Sequence, residues 1–443
     1  MPSPDPAMAR PRWESTSSFA PFAVRDFRLL FLSFVGWQLI HPLQVVSLIF
    51  WVQDNAADDS RIILIGVLGS LRGIGALVFS LVAGALADRF DRRRLLLAAQ
   101  GLGFLIALTV ALLMSVGSGD ALGFALIFLL AFLSAAPIAI DMPTRQAMVP
   151  EIVGPRLTSR GIALNSAGMQ LAMPLAIFGV GLVIEAVGTG AADALSSAGH
   201  AAALLLLLPM SYRTAARGRA AGATLRRTAA DIAAGFRFAR GHAIVLSVIV
   251  LVVVLLAIGF PPVASLGPTW ITTVVGATYA EFGFIALTWG VGALLASLAM
   301  TRVVALRLQG PMLSLGALTF AGSFVLFVGG QSWPFAVAGN FGLGAGFAIM
   351  QIAATSLIAH HTPNEVRGRV MSLLMIGIFA AQSLALPIAV AGQLVSLETL
   401  FPILSYVCLG SVAALLLARR ELWRTRAGRG DEPPQSTGGR PGR

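Results

Sequence analysis

The chain has 443 residues, of which 57% are hydrophobic and 12% are charged. Soluble globular proteins carry about 25% charged residues, so this composition leaves too little charge to cover a water-facing surface. All 31 basic residues are arginine, and a chain without lysine has no Walker-type phosphate loop, because that loop holds nucleotide phosphates with its lysine. The composition therefore predicts a membrane protein that uses no ATP directly.

The sequence also gives no sign of a cofactor, a metal site or a nucleic-acid partner. Its single cysteine, Cys408, lies in a late apolar stretch, which excludes both a disulfide framework and a thiolate metal cluster. The net charge of +11 would favour nucleic-acid binding only if the arginines formed one patch beside a folded core, whereas they are spread between apolar stretches. The first residues are polar and lack a cleavage-like pattern, so we expect no signal peptide.

Apolar runs of roughly 20 residues recur along the chain, each long enough to cross a hydrocarbon core about 30 Å thick. They predict an all-α membrane protein of twelve transmembrane helices with both ends on one side. The predicted spans are 27–52, 62–87, 95–116, 121–141, 161–187, 193–211, 243–262, 281–300, 311–329, 334–359, 370–395 and 400–418.

Arginine placement predicts the orientation of these spans. With the boundaries above, 29 of the 31 arginines lie on the side of the termini, Arg61 lies on the opposite side and Arg72 lies inside a span. Basic connections stay in the cytoplasm, so we expect a multi-pass protein of the bacterial inner membrane with both termini cytoplasmic. The acidic residues on the opposite side are Asp54, Asp58, Asp59, Asp120, Asp193 and Glu398.

A basic stretch at 213–242 divides the spans into two groups of six. Its apolar residues Leu225, Ile232, Phe236 and Phe238 are compatible with an amphipathic helix on the membrane surface, and a plain positively charged loop explains the same pattern equally well. The predicted organisation is a cytoplasmic tail at 1–26, a six-helix bundle at 27–212, the linker at 213–242, a second six-helix bundle at 243–418 and a disordered basic tail at 419–443.

The two predicted bundles carry an internal repeat. Residues 150–179 aligned without gaps on 363–392 are identical at ten of thirty positions, among them Pro174 with Pro387 and Gly179 with Gly392. The alignment matches the fifth span to the eleventh, so the repeat unit is six helices of the same topology, as in a parallel repeat.

The connection after the second span carries the motif GALADRFDRRR at 84–94, with Gly84, the pair Asp88 and Arg89, and a basic cluster. With twelve spans and a six-plus-six repeat, this motif resembles the signature of the major facilitator superfamily, and the resemblance covers about residues 25–418. Asp91 stands where the broad pattern has glycine, a change that resembles the drug- and siderophore-exporter branch. The segments 141–151 and 363–372 are similar to those of the enterobactin-exporter-like group.

The resemblance implies two pseudo-symmetric six-helix bundles and a monomeric secondary-active transporter, not an enzyme. It implies export of small amphipathic organic compounds, of drug or siderophore type, across the lipid bilayer by alternating access in a proton-coupled antiporter. The chain departs from many antiporters, because Met173 replaces the glycine before Pro174 and the fourth span lacks a central arginine. An importer or uniporter of a metabolite and a non-transporting membrane receptor with this fold stay open as alternatives.

The resemblance also places Asp88 against the amino end of the eleventh helix, near Arg369. The partial positive charge of a helix amino terminus stabilises a nearby carboxylate by about 0.3–1 kcal/mol when exposed, so Asp88, Arg89 and Arg145 would latch the two halves together. The alternative is an ordinary loop carboxylate among arginines. The predicted gating residues are Gly84, Asp88, Arg89, Arg92, Arg93, Asp141, Arg145, Arg367 and Arg369.

Polar residues inside the spans are the candidates for a substrate cavity. A charge at the centre of a span costs about 2.5–3.5 kcal/mol on translocon scales, so it is first taken as functional. Arg72 could bind an anionic substrate group or simply bond to backbone carbonyls, and His41 could switch its protonation near neutral pH or only pack beside Pro42. The predicted cavity residues are Gln38, His41, Arg72, Gln170, Trp289, Asn340 and Gln382, and the predicted proton carriers are His41 and Asp141.

Overall fold

The structure is a computed structural model that describes residues 17–117, 119–213, 225–304 and 308–424. After a short 3-10 helix at Ala20–Ala23, the described residues form α-helices joined by short connections. The helices are α1 (Arg25–Asn55), α2 (Arg61–Arg89), α3 (Arg92–Ser115), α4 (Ala121–Leu133), α5 (Ala135–Val153), α6 (Thr158–Leu207), α7 (Leu225–Gly241), α8 (Ala243–Pro261), α9 (Gly267–Thr273), α10 (Tyr279–Val304), α11 (Gln309–Gly329), α12 (Trp333–His361), α13 (Asn364–Gln382), α14 (Ala385–Val395), α15 (Leu397–Ala418) and α16 (Glu421–Arg424).

Eleven helical stretches within the described residues are long and apolar enough to cross a membrane. Three of them combine neighbouring helices, namely α4 with α5, α8 with α9, and α13 with α14. They are Arg25–Asn55, Arg61–Ala83, Arg92–Ser115, Ala121–Val153, Thr158–Leu207, Ala243–Thr273, Tyr279–Thr301, Gln309–Gly329, Trp333–His361, Asn364–Val395 and Leu397–Ala418. The prediction of an all-helical membrane protein is confirmed.

The helix α6 has 50 residues and covers the fifth and sixth predicted spans. Gly188 interrupts it with φ 80° and ψ 169°, a conformation that glycine adopts without the steric cost a side chain brings. Arg160 near the start of α6 donates to the carbonyl of Ser17, and Leu207 at its end accepts from Arg93. Both ends of α6 therefore lie on the side of the amino terminus, which we call the proximal end, and its two sections run in opposite directions.

Prolines lie inside several helices and do not end them. The fourth predicted span ends at residue 141, whereas α5 continues through Pro143 and Pro150 to Val153, so that predicted boundary is wrong. In the same way, α8 continues through a π-helical segment at Pro262–Leu266 into α9, which ends at Thr273. Transmembrane helices tolerate proline because neighbouring helices and local changes of helix type satisfy the freed backbone groups.

The helix α7 occupies the predicted linker. Its residue Asp231 forms an ion pair of 2.8 Å with Arg369 at the start of α13. A Cβ atom on Gly235 would lie 2.8 Å from the carbonyl oxygen of Arg369, so the backbones of α7 and α13 approach closely. The helical interpretation of the linker is thus confirmed over Leu225–Gly241, while residues 214–224 and the predicted tail from residue 425 lie outside the described residues.

We call residues 25–213 the amino half and residues 243–418 the carboxyl half. They meet where α2 packs on α13 and α14, and where α6 packs on α10. Ser70 of α2 donates to the carbonyl of Ser383 and accepts from the amide of Leu386, each at 2.7 Å. On the second seam, a Cβ atom on Gly181 would lie 2.2 Å from the carbonyl oxygen of Tyr279 and 2.8 Å from Cα of Gly283.

Further hydrogen bonds join the halves at the end opposite the proximal one, which we call the distal end. The Tyr279 hydroxyl donates to the Asp54 carboxylate at 2.8 Å, and the amide of Ala280 donates to Glu185 at 3.2 Å. Gln53 and Thr272 bond at 3.1 Å. The distal end of the molecule is therefore closed by contacts between the halves.

We expect Gly181→Ala to destabilise the protein, because the added methyl group has no room between α6 and α10 and overpacking costs about 1–3 kcal/mol. Gly179→Ala is the matched control, since a Cβ atom at Gly179 meets nothing within 4 Å and alanine favours a helix by about 1 kcal/mol over glycine. Thermal unfolding in detergent should show a lower melting temperature for Gly181→Ala alone. Equal melting temperatures would contradict the close approach of the two helices.

Candidate functional site

A cavity of about 130 Å³ lies between the two halves. The amino half contributes side chains of α1 and α2, and the carboxyl half contributes the α8 to α9 segment and α13. The lining residues are Val45, Ile49, Ile65, Leu68, Gly69, Arg72, Phe260, Pro261, Ala264, Ser265 and Gln382. Because both halves line this mostly apolar space, a ligand in it would contact both.

Arg72 is the charged residue among the lining side chains. It lies on α2, one residue before Gly73, where a Cβ atom would meet the Ser383 amide nitrogen at 2.8 Å. It makes no hydrogen bond or ion pair with the other described residues, and it interacts electrostatically with Asp193 of α6. Its guanidinium has five donors in a planar fork that suits carboxylates, so Arg72 is equipped to bind an anionic group.

Asp193 was expected on the opposite membrane surface, and the structure corrects that expectation. It lies inside α6, five residues after the break at Gly188, and its exposed fraction is 0%. Within the described part of the chain, neither carboxylate oxygen has a hydrogen-bond partner. A buried carboxylate in this state depends on the nearby charge of Arg72 or on a bound proton, because an isolated buried charge is costly.

His41 lies on α1 and interacts electrostatically with both Arg72 and His200. Its ring stacks on Trp37 with 4.8 Å between ring centroids. Its Nδ1 atom is buried and has no hydrogen-bond partner among the described residues. The structure thus places His41 beside the Arg72 and Asp193 pair, and not in the lining of the cavity itself.

A second polar cluster, the Asp141 cluster, lies inside the amino half and consists of Ser33, Gln100, Asp141, Arg145 and His200. Arg145 Nε donates to Asp141 at 2.5 Å, and Gln100 donates to the other oxygen of Asp141 at 2.7 Å. Gln100 Oε1 lies 2.9 Å from His200 Nδ1, and Arg145 Nη1 donates to Ser33 at 2.7 Å. These residues belong to α1, α3, α5 and α6, so the cluster binds four helices together.

Two sequence interpretations change with this cluster. Asp141 was placed near a helix end and Arg145 in a connection, whereas both lie inside α5 with an exposed fraction of 1%. Arg72 is therefore not the one arginine inside a span. The described contacts of Arg145 are with Asp141, Leu30, Ser33 and the Phe34 ring, all in the amino half, so these contacts do not include the predicted latch.

The other predicted gating residues lie at the proximal end. Arg92 pairs with Glu151 at 2.6 Å, and Arg93 donates to the Leu208 carbonyl at 2.5 Å. Arg367 donates to the Thr362 carbonyl at 3.2 Å. The side chains of Gly84, Asp88 and Arg89, like that of Gln170, lie outside the described residues.

The predicted cavity residues separate into two groups. Gln382 joins Arg72 in the cavity lining. In the carboxyl half, Asn340 donates to the Ile285 carbonyl at 2.7 Å, and Trp289 packs edge-on against Phe320. Gln38 is buried on α1.

Sequence reasoning missed Asp193, His200, Gln100 and Ser33. Asp193 and His200 are seven residues apart in an Ala- and Leu-rich stretch, so they lie on one face of a helix two turns apart. That spacing was the available signal, and the early predicted boundary at residue 193 concealed it.

The chain matches the sequence profile of the transmembrane secretion effector family over residues 16–432. It is 29% identical to the Staphyloferrin A transporter of Staphylococcus aureus over 154 residues, which are 34% of this chain and 38% of that relative. The matched stretch thus spans well under half of the relative's length.

Solved structures share the fold. The nucleoside transporter NupG has a TM-score of 0.68 at 13% identity, covering 90% of this chain and 98% of NupG. The D-xylose-proton symporter has a TM-score of 0.67 at 14% identity, covering 93% and 98%. A bacterial homologue of the human lysosomal transporter Spinster, in an inward-facing conformation, has a TM-score of 0.67 at 14% identity, covering 94% and 99%.

We expect Asp141→Asn to lower stability strongly, because it leaves the Arg145 guanidinium buried without its counter-charge. Removing one partner of a buried ion pair costs about 3–5 kcal/mol. Glu398→Gln, which changes an exposed carboxylate in the first turn of α15, is the control and should leave the melting temperature nearly unchanged. If both variants unfold at the temperature of the unmodified protein, Asp141 does not hold α5 in place.

Proposed function

Because the chain belongs to the transmembrane secretion effector family of major facilitator transporters, we propose that it exports small amphipathic organic compounds by proton-coupled alternating access. The observation that carries this proposal is the cavity shared by both halves, with one arginine in an otherwise mostly apolar lining. Apolar walls with a few placed polar groups are typical of small-molecule sites. A site between two halves can open to either side when one half rocks against the other.

The proposed architecture is twelve crossings in two six-helix bundles, at 27–212 and 243–418, joined by the linker at 213–242. The reversal of α6 at Gly188 supports it, because the stretch Thr158–Leu207 then supplies two of the crossings. The arginine asymmetry supports a bacterial inner-membrane protein whose proximal end, with both termini, is cytoplasmic. The distal end would then face the periplasm, and the basic helix α7 would lie at the cytoplasmic surface.

In this orientation the structure corresponds to a state closed toward the periplasm. Opening the periplasmic side requires the bonds of Asp54 with Tyr279 and of Glu185 with Ala280 to break. The latch of Asp88 and Arg89 against the start of α13 would then close the cytoplasmic side. The protein is proposed to work as a monomer, since each chain contains both halves of the site.

A substrate of siderophore type is supported by the similarity to the Staphyloferrin A transporter and by Arg72, which suits an anionic group. The likeness to the D-xylose-proton symporter, at 14% identity, concerns the fold alone. Export is therefore proposed from the family, and import is the result that a transport assay would have to show to reverse it.

The test is uptake of fluorescent amphipathic dyes, one anionic and one cationic, into inverted membrane vesicles with an imposed pH gradient. We expect uptake that depends on the gradient, and we expect Arg72→Gln to weaken the apparent affinity for the anionic dye roughly 10- to 150-fold. That range follows from about 1.5–3 kcal/mol for a hydrogen bond to a charged group at 1.4 kcal/mol per tenfold.

Arg61→Gln is the matched control, because Arg61 lies on the same helix but pairs with Asp58 at the distal end. It should leave both dyes unaffected. Equal losses for both dyes in Arg72→Gln, together with a lower melting temperature, would show that Arg72 is structural. Uptake into right-side-out vesicles alone would contradict export.

A further inference from the structure

Two buried carboxylates lie in the amino half, and their surroundings differ. Asp141 is neutralised by Arg145 and bonded to Gln100, so both of its oxygens have partners. Asp193 is equally buried, and neither of its oxygens has a hydrogen-bond partner within the described residues. Its recorded charged neighbour is Arg72, which lines the cavity between the halves. Asp193 is therefore the buried acid that can change its protonation without dismantling a hydrogen-bonded network.

We propose that Asp193 takes up and releases the coupling proton, and that Arg72 alternates between Asp193 and an anionic group of the substrate. This inference rests on the proposed transport function and adds to it the proton site and the charge of the substrate. Neither His41 nor Asp141 is then the primary carrier.

The coupling follows from charge balance in a site of low polarity. When the cavity is empty, Arg72 supplies the positive charge beside an ionised Asp193. When an anionic group binds Arg72, it competes for that charge, and an uncompensated carboxylate is costly in a buried site. Asp193 then takes a proton from water on the open side, and it returns the proton when the anion leaves. Proton and anion binding favour each other by the same factor, because linkage is reciprocal.

The groups that face Asp193 from neighbouring helices leave Arg72 as the main charged influence. On α1 the nearest titratable group is His41, and on α6 itself it is His200, which is bonded to Gln100 of α3. On α5, Asp141 is compensated by Arg145.

The acids toward the distal end have partners of their own. On α10, Glu281 accepts from the amide of Thr278, and Tyr279 donates to Asp54. Glu185, earlier on α6, accepts from Ala280. These groups are tied to the closure of the distal end and not to the cavity.

Polar atoms close to Asp193 in the chain and on α1 could carry a proton toward it. The Ser196 hydroxyl, one turn along α6, and Nδ1 of His41 are both buried, and neither has a partner in the described part of the chain. The Trp37 indole nitrogen beside His41 is in the same state.

The test is infrared difference spectroscopy of the purified full chain in detergent, with no ligand, as the buffer is stepped from alkaline to acid. The unmodified protein should gain a carbonyl stretch of a protonated carboxyl group on acidification. Asp193→Asn should lose this band, and Asp193→Glu should restore a band at a shifted frequency. Arg72→Gln should show the band at every pH, since Asp193 has then lost its counter-charge and stays protonated.

A spectrum of Asp193→Asn identical to that of the unmodified protein would overturn the proposal, as would a band in Arg72→Gln that is no less pH-dependent. If Asp193→Asn fails to fold, Arg72→Gln and Asp193→Glu decide the question by themselves. The same variants are then assayed for dye uptake. Absence of any uptake with the Asp193 band present would refute the proposed transport and leave the proton site standing, whereas pH-dependent uptake unchanged in Asp193→Asn would refute the proton site alone.

Discussion

The electrostatic interaction of Arg72 with Asp193 is the constraint on which the rest of this account depends. Two charges inside a membrane protein are costly, and each is tolerated because the other is near. The pair also spans two environments, because Asp193 is enclosed within the amino half while Arg72 reaches the space between the halves. A change in one environment is therefore felt in the other, which is the physical requirement for coupling between a ligand and a proton.

The packing around the pair explains how such a site can sit in a protein whose halves move. Inside the amino half, the Asp141 cluster holds four helices through buried hydrogen bonds, and satisfied buried networks of this kind rigidify a core. Between the halves, contact is made by glycines such as Gly73 and Gly181, where the backbones approach closely, and by a few polar bonds at the distal end. The halves are thus stiff units with a seam of small residues between them, and small residues allow close packing without interlocking side chains.

Much of the fold could be predicted from the sequence, because apolar length and arginine asymmetry follow from the bilayer itself. The errors have local causes. Pro143 suggested a helix end at a point where neighbouring helices satisfy the backbone, so Asp141 and Arg145 were assigned to the membrane surface. Arg72 was found since it lies in the middle of an apolar run, but its relation to Asp193 depends on how two helices 121 positions apart in the chain face each other. No periodicity within either helix contains that information, and the roles of Asp88 and Arg89 remain predictions.

The most direct measurement is a double-mutant cycle on the unfolding free energy of the purified protein, using Arg72→Gln, Asp193→Asn and the variant with both changes. If the two side chains balance each other's charge, the combined variant will be more stable than the sum of the single losses predicts, by roughly 0.5–3 kcal/mol, as for residues that interact directly. Additive losses, within about 0.3–0.5 kcal/mol, would show that Arg72 and Asp193 are independent and would contradict the account.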